Sequence, residues 1–236
     1  MIKDNIEQIR WRIDGLCAKV GRNPKEITLV AVTKNRPVEQ IEEAIDAGIT
    51  DIGENKVQEA LLKFGLRSTV YGLRSSINFH MVGHLQTNKV KDAVRIFDLI
   101  HSVDSLHLAE EINKQAGKIN KIQDVLLEIK TSPEATKFGI LPEDVIEIFN
   151  SVGSGRDRSL HNIKVRGLMT IAPLVDEPEK ARPYFRMLRE LRDKLGRERS
   201  RPFPTLSILS MGMTDDFEVA IEEGATMVRI GRAIFE

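Results

Sequence analysis

The chain has 236 residues, a length at which an α/β barrel folds as one domain, so a single large core is expected. Its 35 basic and 35 acidic residues cancel, which argues against nucleic acid or an anionic membrane as a partner and favours a small molecule. Cys17 is the only cysteine, which excludes an internal disulfide and a multi-cysteine metal site and suits a reducing cytoplasm.

The N-terminal segment is predicted to be an amphipathic helix. Apolar residues recur at helical spacing from Ile2 to Leu16, and the pattern stops at Gly21 and Pro24. Charged residues near the start replace the apolar block of a secretory signal, and every apolar run is shorter than the roughly 20 residues of a membrane span. We therefore expect a cytoplasmic protein that makes no membrane contact.

Short β-branched runs alternate with longer helical patterns along the rest of the chain, an order typical of parallel strands joined by crossover helices. The predicted strands are 27–33, 50–53, 78–83, 99–103, 125–130, 164–169, 205–211 and 227–230. The predicted helices between them are 38–47, 56–64, 87–94, 105–115, 142–150, 179–195 and 215–222. Eight such units favour one α/β domain over residues 1–236, a closed (β/α)8 TIM barrel with an extra N-terminal helix, over an open doubly wound sheet.

The end of the first predicted strand carries a candidate nucleophile. The run from Leu29 to Val32 is apolar enough to be buried on both faces, and Lys34 follows it closely. Active sites of barrels lie at the carboxyl ends of strands, where an amine held in partly dry surroundings could attack an aldehyde. The alternative is a lysine that merely ends the strand in water.

Polar groups also follow the second and third strands. Asn55 comes after Gly53 and could hydrogen-bond a ligand at the barrel mouth, or it could only cap the next helix. His80 lies within the third strand and His84 just past it. Two histidines without a carboxylate or cysteine at suitable spacing are too few for zinc, so no metal site is predicted.

The segments after strands seven and eight are candidates for an anion site. Ser210 ends the seventh strand, and Gly231 and Arg232 follow the eighth. Loops at these positions often bind phosphate, because backbone N–H groups and a helix dipole converge there. The Ser210 hydroxyl and the amides near Gly231 and Arg232 would be the donors, and two ordinary tight turns are the alternative.

Arg229 lies within the eighth strand and could direct its guanidinium across the barrel. Its charge persists at working pH. Facing a pyridine nitrogen, it would donate a hydrogen bond, keep that nitrogen unprotonated and so weaken the ring as an electron sink. The structural alternative is an ion pair, for instance with Glu54 or Glu218.

Seven ordered motifs resemble one known family over nearly the whole chain. They are residues 31–35 (AVTKN), 53–55 (GEN), 80–89 (HMVGHLQTNK), 137–139 (KFG), 166–169 (RGLM), 209–213 (LSMGM) and 228–235 (VRIGRAIF). The chain resembles the pyridoxal phosphate homeostasis protein family, whose members look like the N-terminal barrel of alanine racemase standing alone.

The resemblance implies a fold-type III barrel with pyridoxal 5′-phosphate (PLP) as cofactor. The cofactor-binding positions that it implies are Lys34, Asn55, Ser210, Arg229, Gly231 and Arg232. Lys34 would form the Schiff base, Asn55 would line the pocket, and Arg229 would face the pyridine nitrogen. The phosphate would be bound by the other three. Arg232 would act through its backbone, because many relatives carry threonine there.

The resemblance also implies a role in keeping the PLP supply in balance rather than robust catalysis. A racemase of this type takes its second base, a tyrosine, from a separate β-domain, whereas the only tyrosines here are Tyr71 and Tyr184. A slow PLP-dependent racemase or related enzyme is the alternative, and a barrel that binds a sugar phosphate noncovalently is a third possibility. We expect a monomer that contacts PLP-dependent apo-enzymes transiently.

Overall fold

Strands and helices alternate along the computed structural model, which describes residues 1–64, 77–132, 134, 138–152, 160–197 and 206–236. The strands are β1 (Thr28–Val32), β2 (Asp51–Glu54), β3 (Asn78–Met81), β4 (Leu99–Val103), β5 (Gln123–Glu128), β6 (Ile163–Met169), β7 (Ile208–Ser210) and β8 (Met227–Ile230). The helices are α1 (Ile2–Val20), α2 (Val38–Asp46), α3 (Val57–Phe64), α4 (Val90–Ile96), α5 (Leu106–Gly117), α6 (Val145–Val152), α7 (Arg182–Arg197), α8 (Phe217–Glu222) and α9 (Arg232–Phe235).

The strands form one closed parallel barrel in sequence order, and β8 pairs with β1 to complete it. In the register of β1, Val32 pairs with Gly53 on one side, and Val30 pairs with Arg229 on the other. The (β/α)8 barrel and the N-terminal helix predicted from the sequence are therefore confirmed. The carboxyl ends of all eight strands meet at one face, which brings the candidate residues of distant segments together.

Most differences from the predicted elements lie at their ends. The helix predicted at 87–94 begins with a 3-10 turn at Thr87–Lys89, and the helix predicted at 142–150 begins only at Val145. The short α9 was not among the predicted helices. Tyr71 lies outside the described residues, as do parts of the motif at 137–139 and of the predicted strand at 205–211.

Helix α1 covers the seam where the barrel closes. It packs against α2 on one side and against α8 and α9 on the other. Its buried face consists of Ile2, Ile6, Ile9, Ile13 and Cys17. The helix is also tied to the end of the chain, because the Asn5 side chain donates to the Ile234 carbonyl at 3.0 Å. In the outer layer, α1 thus lies between α2 and α9, the helices that follow β1 and β8.

Two further observations bear on the sequence predictions. Among the described residues, no helix is both long enough and apolar enough to cross a bilayer. Cys17 is buried on the inner face of α1, where it packs with the isoleucines of that helix as an ordinary core residue.

Candidate functional site

Lys34 lies at the carboxyl-end rim of the barrel, two residues beyond β1. Val30 packs with Leu99 and other residues of distant strands, which only the barrel interior allows. Because side chains alternate between the two faces of a strand, Lys34 continues the interior face that runs through Val30 and Val32. The lysine side chain is exposed, although Thr33 before it is buried. Lys34 is therefore more exposed than the partly dry surroundings expected from the sequence, because the apolar run ends before the rim.

A buried ionic cluster holds the backbone before Lys34. Lys63 on α3 donates from Nζ to the Thr33 carbonyl at 2.6 Å, to Glu54 Oε1 at 2.8 Å and to Glu59 Oε1 at 2.7 Å. The Thr33 hydroxyl donates to the same Glu54 oxygen at 2.6 Å. The Lys63 side chain is only 11% exposed, so these charge-assisted hydrogen bonds are shielded from competing water.

The backbone after Lys34 is held by Glu59. The Asn35 N–H donates to Glu59 Oε1 at 2.5 Å, and Asn35 has a left-handed backbone with a φ of 57°. Asparagine adopts this region more readily than most residues. Burial raises the pKa of Glu54 even with Lys63 beside it. In Glu59 burial acts in the same sense, but hydrogen bonds from Lys63 and Asn35 lower its pKa overall.

Asn55 stands next to Lys34 on the rim. Val32 of β1 pairs with Gly53 of β2. Lys34 lies two positions after Val32, and Asn55 lies two positions after Gly53. The backbone of Asn55 packs against Gly83, where an added Cβ would lie only 2.9 Å from the Asn55 Cα. This close approach of the loop after β3 fixes the position of Asn55 at the mouth.

Arg229 extends into the barrel interior, as its strand position suggested. Its Nη1 donates to Ser210 Oγ at 2.6 Å and its Nη2 donates to the Thr170 carbonyl at 2.9 Å, and all three groups are buried. The carboxylates of Glu54 and Glu218 pair instead with a lysine of α3 and an arginine of α1. The two carboxylates named as examples of an ion-pair partner for Arg229 are therefore paired elsewhere.

A chain of hydrogen bonds continues from Ser210 across the barrel. Ser210 Oγ lies 3.0 Å from His101 Nδ1, and His101 Nε2 lies 2.9 Å from His80 Nδ1. His80 Nε2 in turn lies 2.9 Å from Asp51 Oδ1. These four side chains, together with Arg229, connect β2, β3, β4, β7 and β8 beneath the mouth. All five residues are buried.

The charges along this chain follow from burial and from neighbouring groups. Burial lowers the pKa of Arg229 to about 10, against the favourable charges of Asp216 and Glu128, so the guanidinium stays charged at neutral pH. Burial, with the nearby charges of His80 and Arg229, holds the pKa of His101 well below its usual range. Burial tends to raise the pKa of Asp51, but hydrogen bonds led by the one from His80 lower it overall.

The loop after β8 approaches β1 closely. At Gly231 an added Cβ would lie 3.2 Å from the Val32 carbonyl oxygen, so the loop rests on the end of the strand that leads to Lys34. The side chain of Arg232 is exposed and pairs with Asp215. The first turn of α9 therefore presents its backbone, and not this guanidinium, toward β1.

Sequence reasoning missed His101, which joins Ser210 to His80. A histidine inside the apolar run of the fourth strand was the available signal, but its partners are distant in sequence. His84 lies outside this chain of hydrogen bonds: it stacks on Phe138 with ring centroids 3.8 Å apart, and its Nδ1 is 3.2 Å from Asp104 Oδ2. The two histidines of the third motif therefore have separate environments.

The donor set fits a ligand with three different functional groups. An exposed primary amine at the rim can capture a carbonyl carbon. A buried guanidinium can donate to a ring nitrogen or to an anion. Backbone amides at the very start of a helix have no acceptor within it, so those of Gly231 and Arg232 can donate to an anionic group. An added Cβ at Gly231 would crowd the Val32 carbonyl oxygen, so the loop with these amides lies against the end of β1.

Comparisons with known proteins bear on the family of this chain. The family model described as alanine racemase, N-terminal domain matches residues 4–236. The pyridoxal phosphate homeostasis protein of Aquifex aeolicus (strain VF5) is 44% identical over 232 residues, covering 98% of this chain and 96% of the relative. The protein of the same name from Escherichia coli (strain K12) is 38% identical over 235 residues, covering 99% and 95%.

Solved structures share the whole barrel. The structure of PipY of Synechococcus elongatus PCC7942 with PLP bound is 33% identical, with a TM-score of 0.84 and full coverage of both chains. A structure described as an unknown protein from Bifidobacterium adolescentis is 37% identical, with a TM-score of 0.91, covering 99% of this chain and 94% of the other. An alanine racemase of Clostridium difficile 630 is only 16% identical at a TM-score of 0.71, a likeness of fold alone.

Proposed function

Because the chain belongs to the pyridoxal phosphate homeostasis protein family, we propose that it binds PLP and helps keep the intracellular vitamin B6 pool in balance. The observation that carries the proposal is the convergence of three donors on one barrel mouth: the exposed Lys34 amine, the buried Arg229 guanidinium and the loop at Gly231. A relative that matches over its full length was solved with PLP bound.

We assign each candidate residue a task toward the cofactor. Lys34 is the point of covalent attachment, held by the Lys63 and Glu59 contacts on either side of it. Asn55 lines the pocket beside Lys34. Ser210, with the amides of Gly231 and Arg232, takes the phosphate, and Arg229 faces the pyridine nitrogen.

The same residues favour holding the cofactor over turning substrates over. When bound, PLP supplies an aldehyde that captures amines and a pyridine ring that withdraws electrons. Arg229 stays charged at neutral pH and so has no tendency to give a full proton to that ring. Tyr184 lies on α7 at the outside of the barrel, packed against the core, and so is not placed to act as a base at the mouth.

The racemase alternative is not favoured. The curated relatives at 34–44% identity carry the homeostasis name, whereas the alanine racemases share only the fold. Proton exchange at the α-carbon of a panel of amino acids in D2O tests this directly. We expect exchange no faster than with free PLP. Exchange at a catalytic rate that vanishes in the Lys34→Ala variant would establish the enzyme instead.

The attachment of PLP to Lys34 is tested by absorption and mass. The chain mixed with PLP should show an absorption band near the visible edge that borohydride removes, and the reduced adduct should map to Lys34. Lys34→Ala should lose the band. Lys56→Ala, an exposed lysine on the same rim, is the matched control and should keep it. A band of equal strength in both variants would refute the assignment, and a colourless wild-type mixture would favour a noncovalent sugar-phosphate site.

We also propose a cytoplasmic monomer that contacts PLP-dependent apo-enzymes only transiently. The lone, buried Cys17 suits a reducing compartment. Light scattering after size exclusion should give the mass of one chain, 26.6 kDa. A mass of two chains that persists on dilution would contradict the proposal.

A further inference from the structure

The buried histidine pair beneath the mouth has no role in the functions assigned so far. His80 and His101 face each other inside the barrel, 3% and 0% exposed, and both of their ring nitrogens are engaged. A pair that only filled space would be replaceable by apolar side chains, which avoid the cost of burying polar groups. Their position between Asp51 and Ser210 suggests that they act on the hydroxyl of Ser210.

The donors are fixed for the hydrogen bonds at the two ends of this series of side chains. Asp51 accepts hydrogen bonds from Thr50 at 2.6 Å and from Asn78 at 3.1 Å, as an ionised carboxylate does, so the proton of its contact with His80 lies on Nε2. At the other end Arg229 has only donors, so Ser210 Oγ accepts from it. The direction of the two middle bonds then depends on how many protons the histidines carry.

With both histidines neutral, only one arrangement satisfies every contact. His80 Nδ1 must accept, so His101 donates from Nε2, and His101 Nδ1 must then accept from the Ser210 hydroxyl. In each of these hydrogen bonds the donor is the group nearer Arg229 and the acceptor is the group nearer Asp51. In this state the single hydroxyl proton of Ser210 is directed into the chain and is not available to a ligand.

One added proton reverses the two middle bonds. A proton from solvent binds His101 Nδ1. His101 then transfers its Nε2 proton to His80 Nδ1. His80 then carries both ring protons and pairs with ionised Asp51, while His101 stays neutral and donates from Nδ1 to Ser210. The Ser210 hydroxyl, now accepting from His101 and Arg229, is free to donate elsewhere.

We propose that His80 and His101 are positioning residues that decide whether Ser210 donates to an anion at the mouth, and that anion binding is coupled to the uptake of one proton. The proposal rests on the phosphate role assigned to Ser210 above. An anion favours the state in which the hydroxyl is free, and the same anion electrostatically favours the positive charge gained by His80.

The charged groups around the pair permit this reversal. Asp51 on β2 lies 2.9 Å from His80 and favours a positive charge there, whereas Arg229 on β8 opposes a positive charge on His101. Glu128 on β5 and Asp216 after β7 lie close enough to Arg229 to raise its pKa, so they offset part of its field. The pair therefore lies between opposite charges, and an incoming phosphate can shift its proton occupancy.

The histidine tautomers can be measured in the unliganded wild-type protein, with variants needed only to assign the resonances. Two-bond proton–nitrogen spectra of the imidazoles, with resonances assigned through His80→Gln and His101→Gln, report which nitrogen carries the proton. In alkaline solution, we expect both residues as Nε2–H tautomers. Finding His101 protonated at Nδ1 under those conditions would overturn the proposed direction.

The coupling is measured with 4′-deoxypyridoxine 5′-phosphate, which has no aldehyde and so does not involve the Lys34 amine. Over the pH range in which binding takes up one proton, the wild-type affinity should fall about tenfold for each pH unit. Ser210→Ala should lose this slope, while Ser207→Ala, at an exposed serine just before β7, should keep it. The wild-type protein with this ligand bound should show His101 protonated at Nδ1.

The outcomes separate this inference from the proposed function. Parallel pH profiles of wild type and Ser210→Ala, with the PLP band of wild type intact, would refute the coupling alone. Absence of the PLP band in the wild-type protein would refute the proposed function. The tautomers of the unliganded protein would still report the direction of the hydrogen bonds.

Discussion

At the scale of single residues, the contact between Gly231 and Val32 links the proposed anion loop to the strand that carries Lys34. An added Cβ at Gly231 would lie 3.2 Å from the Val32 oxygen, closer than van der Waals contact. One of the two backbones must then move by a few tenths of an ångström, and neither is a flexible side chain. The site should therefore be more sensitive to this methyl group than the fold is.

We expect Gly231→Ala to lower the free energy of unfolding by about 1 kcal/mol and to weaken PLP binding about tenfold. Gly15→Ala is the control, because Gly15 lies in α1 with no atom within 4 Å of an added Cβ. That variant should gain roughly 0.5–1 kcal/mol and keep its affinity. Urea unfolding and titration of the absorption band measure both quantities. Equal affinities in the two variants would contradict the role of the loop.

At the scale of elements, the contacts of Lys63 join α3 to the end of β1 and fix its position. This lysine joins the Thr33 carbonyl to two carboxylates, and one of these, Glu54, is 1% exposed. Removing one partner of a buried ion pair leaves an unpaired charge, which costs more than the pair itself contributes. The position of Lys34 should therefore depend on α3, a helix that contributes no residue to the candidate site.

We expect Lys63→Gln to cost roughly 3 kcal/mol at neutral pH and to slow the attachment of PLP to Lys34. Burial already raises the folded pKa of Glu54 above its unfolded value, and losing Lys63 raises it further. The stability loss should therefore grow as the pH rises through that pKa and shrink in acid, where Glu54 is protonated. Urea unfolding at several pH values tests the sign.

Two further variants serve as controls for Lys63. The double variant Lys63→Gln, Glu54→Gln should recover much of the lost stability, because it removes the unpaired carboxylate. Lys114→Gln breaks an exposed pair with Glu111 and should change little. The stability loss of Lys63→Gln could instead be independent of pH and equally large in the double variant. That result would mean that the substitution removes packing and not a charge interaction.

At the scale of the whole molecule, closure of the barrel depends on α1. The first helix packs between α2 and the two last helices, and so covers the junction of β8 with β1. Both β1, which leads to Lys34, and β8, which holds Arg229, belong to this seam. The N-terminal helix therefore supports the candidate site although it contributes no residue to it.

We expect Ile6→Ala, at a side chain that is 0% exposed, to cost about 2–5 kcal/mol. Ile122→Ala, at a side chain that is 63% exposed, should change stability by less than about 0.5 kcal/mol. Hydrogen exchange locates the effect: in Ile6→Ala the amides of β1 and β8 should exchange faster, while those of β4 and β5 change less. Uniform acceleration across all strands would show that α1 supports the barrel as a whole and not its seam.

The alternation of apolar runs and helical patterns was enough to predict eight strands, a closed barrel and a leading helix, because these periods are properties of neighbouring residues. The motifs also placed Lys34, Asn55, Ser210 and Gly231 at strand ends, which a barrel brings to one face. Only the tertiary structure decided that Lys34 is exposed, because exposure depends on what surrounds the rim. It alone joined Ser210 to His101, 109 positions apart, since such contacts depend on the register and closure of the barrel.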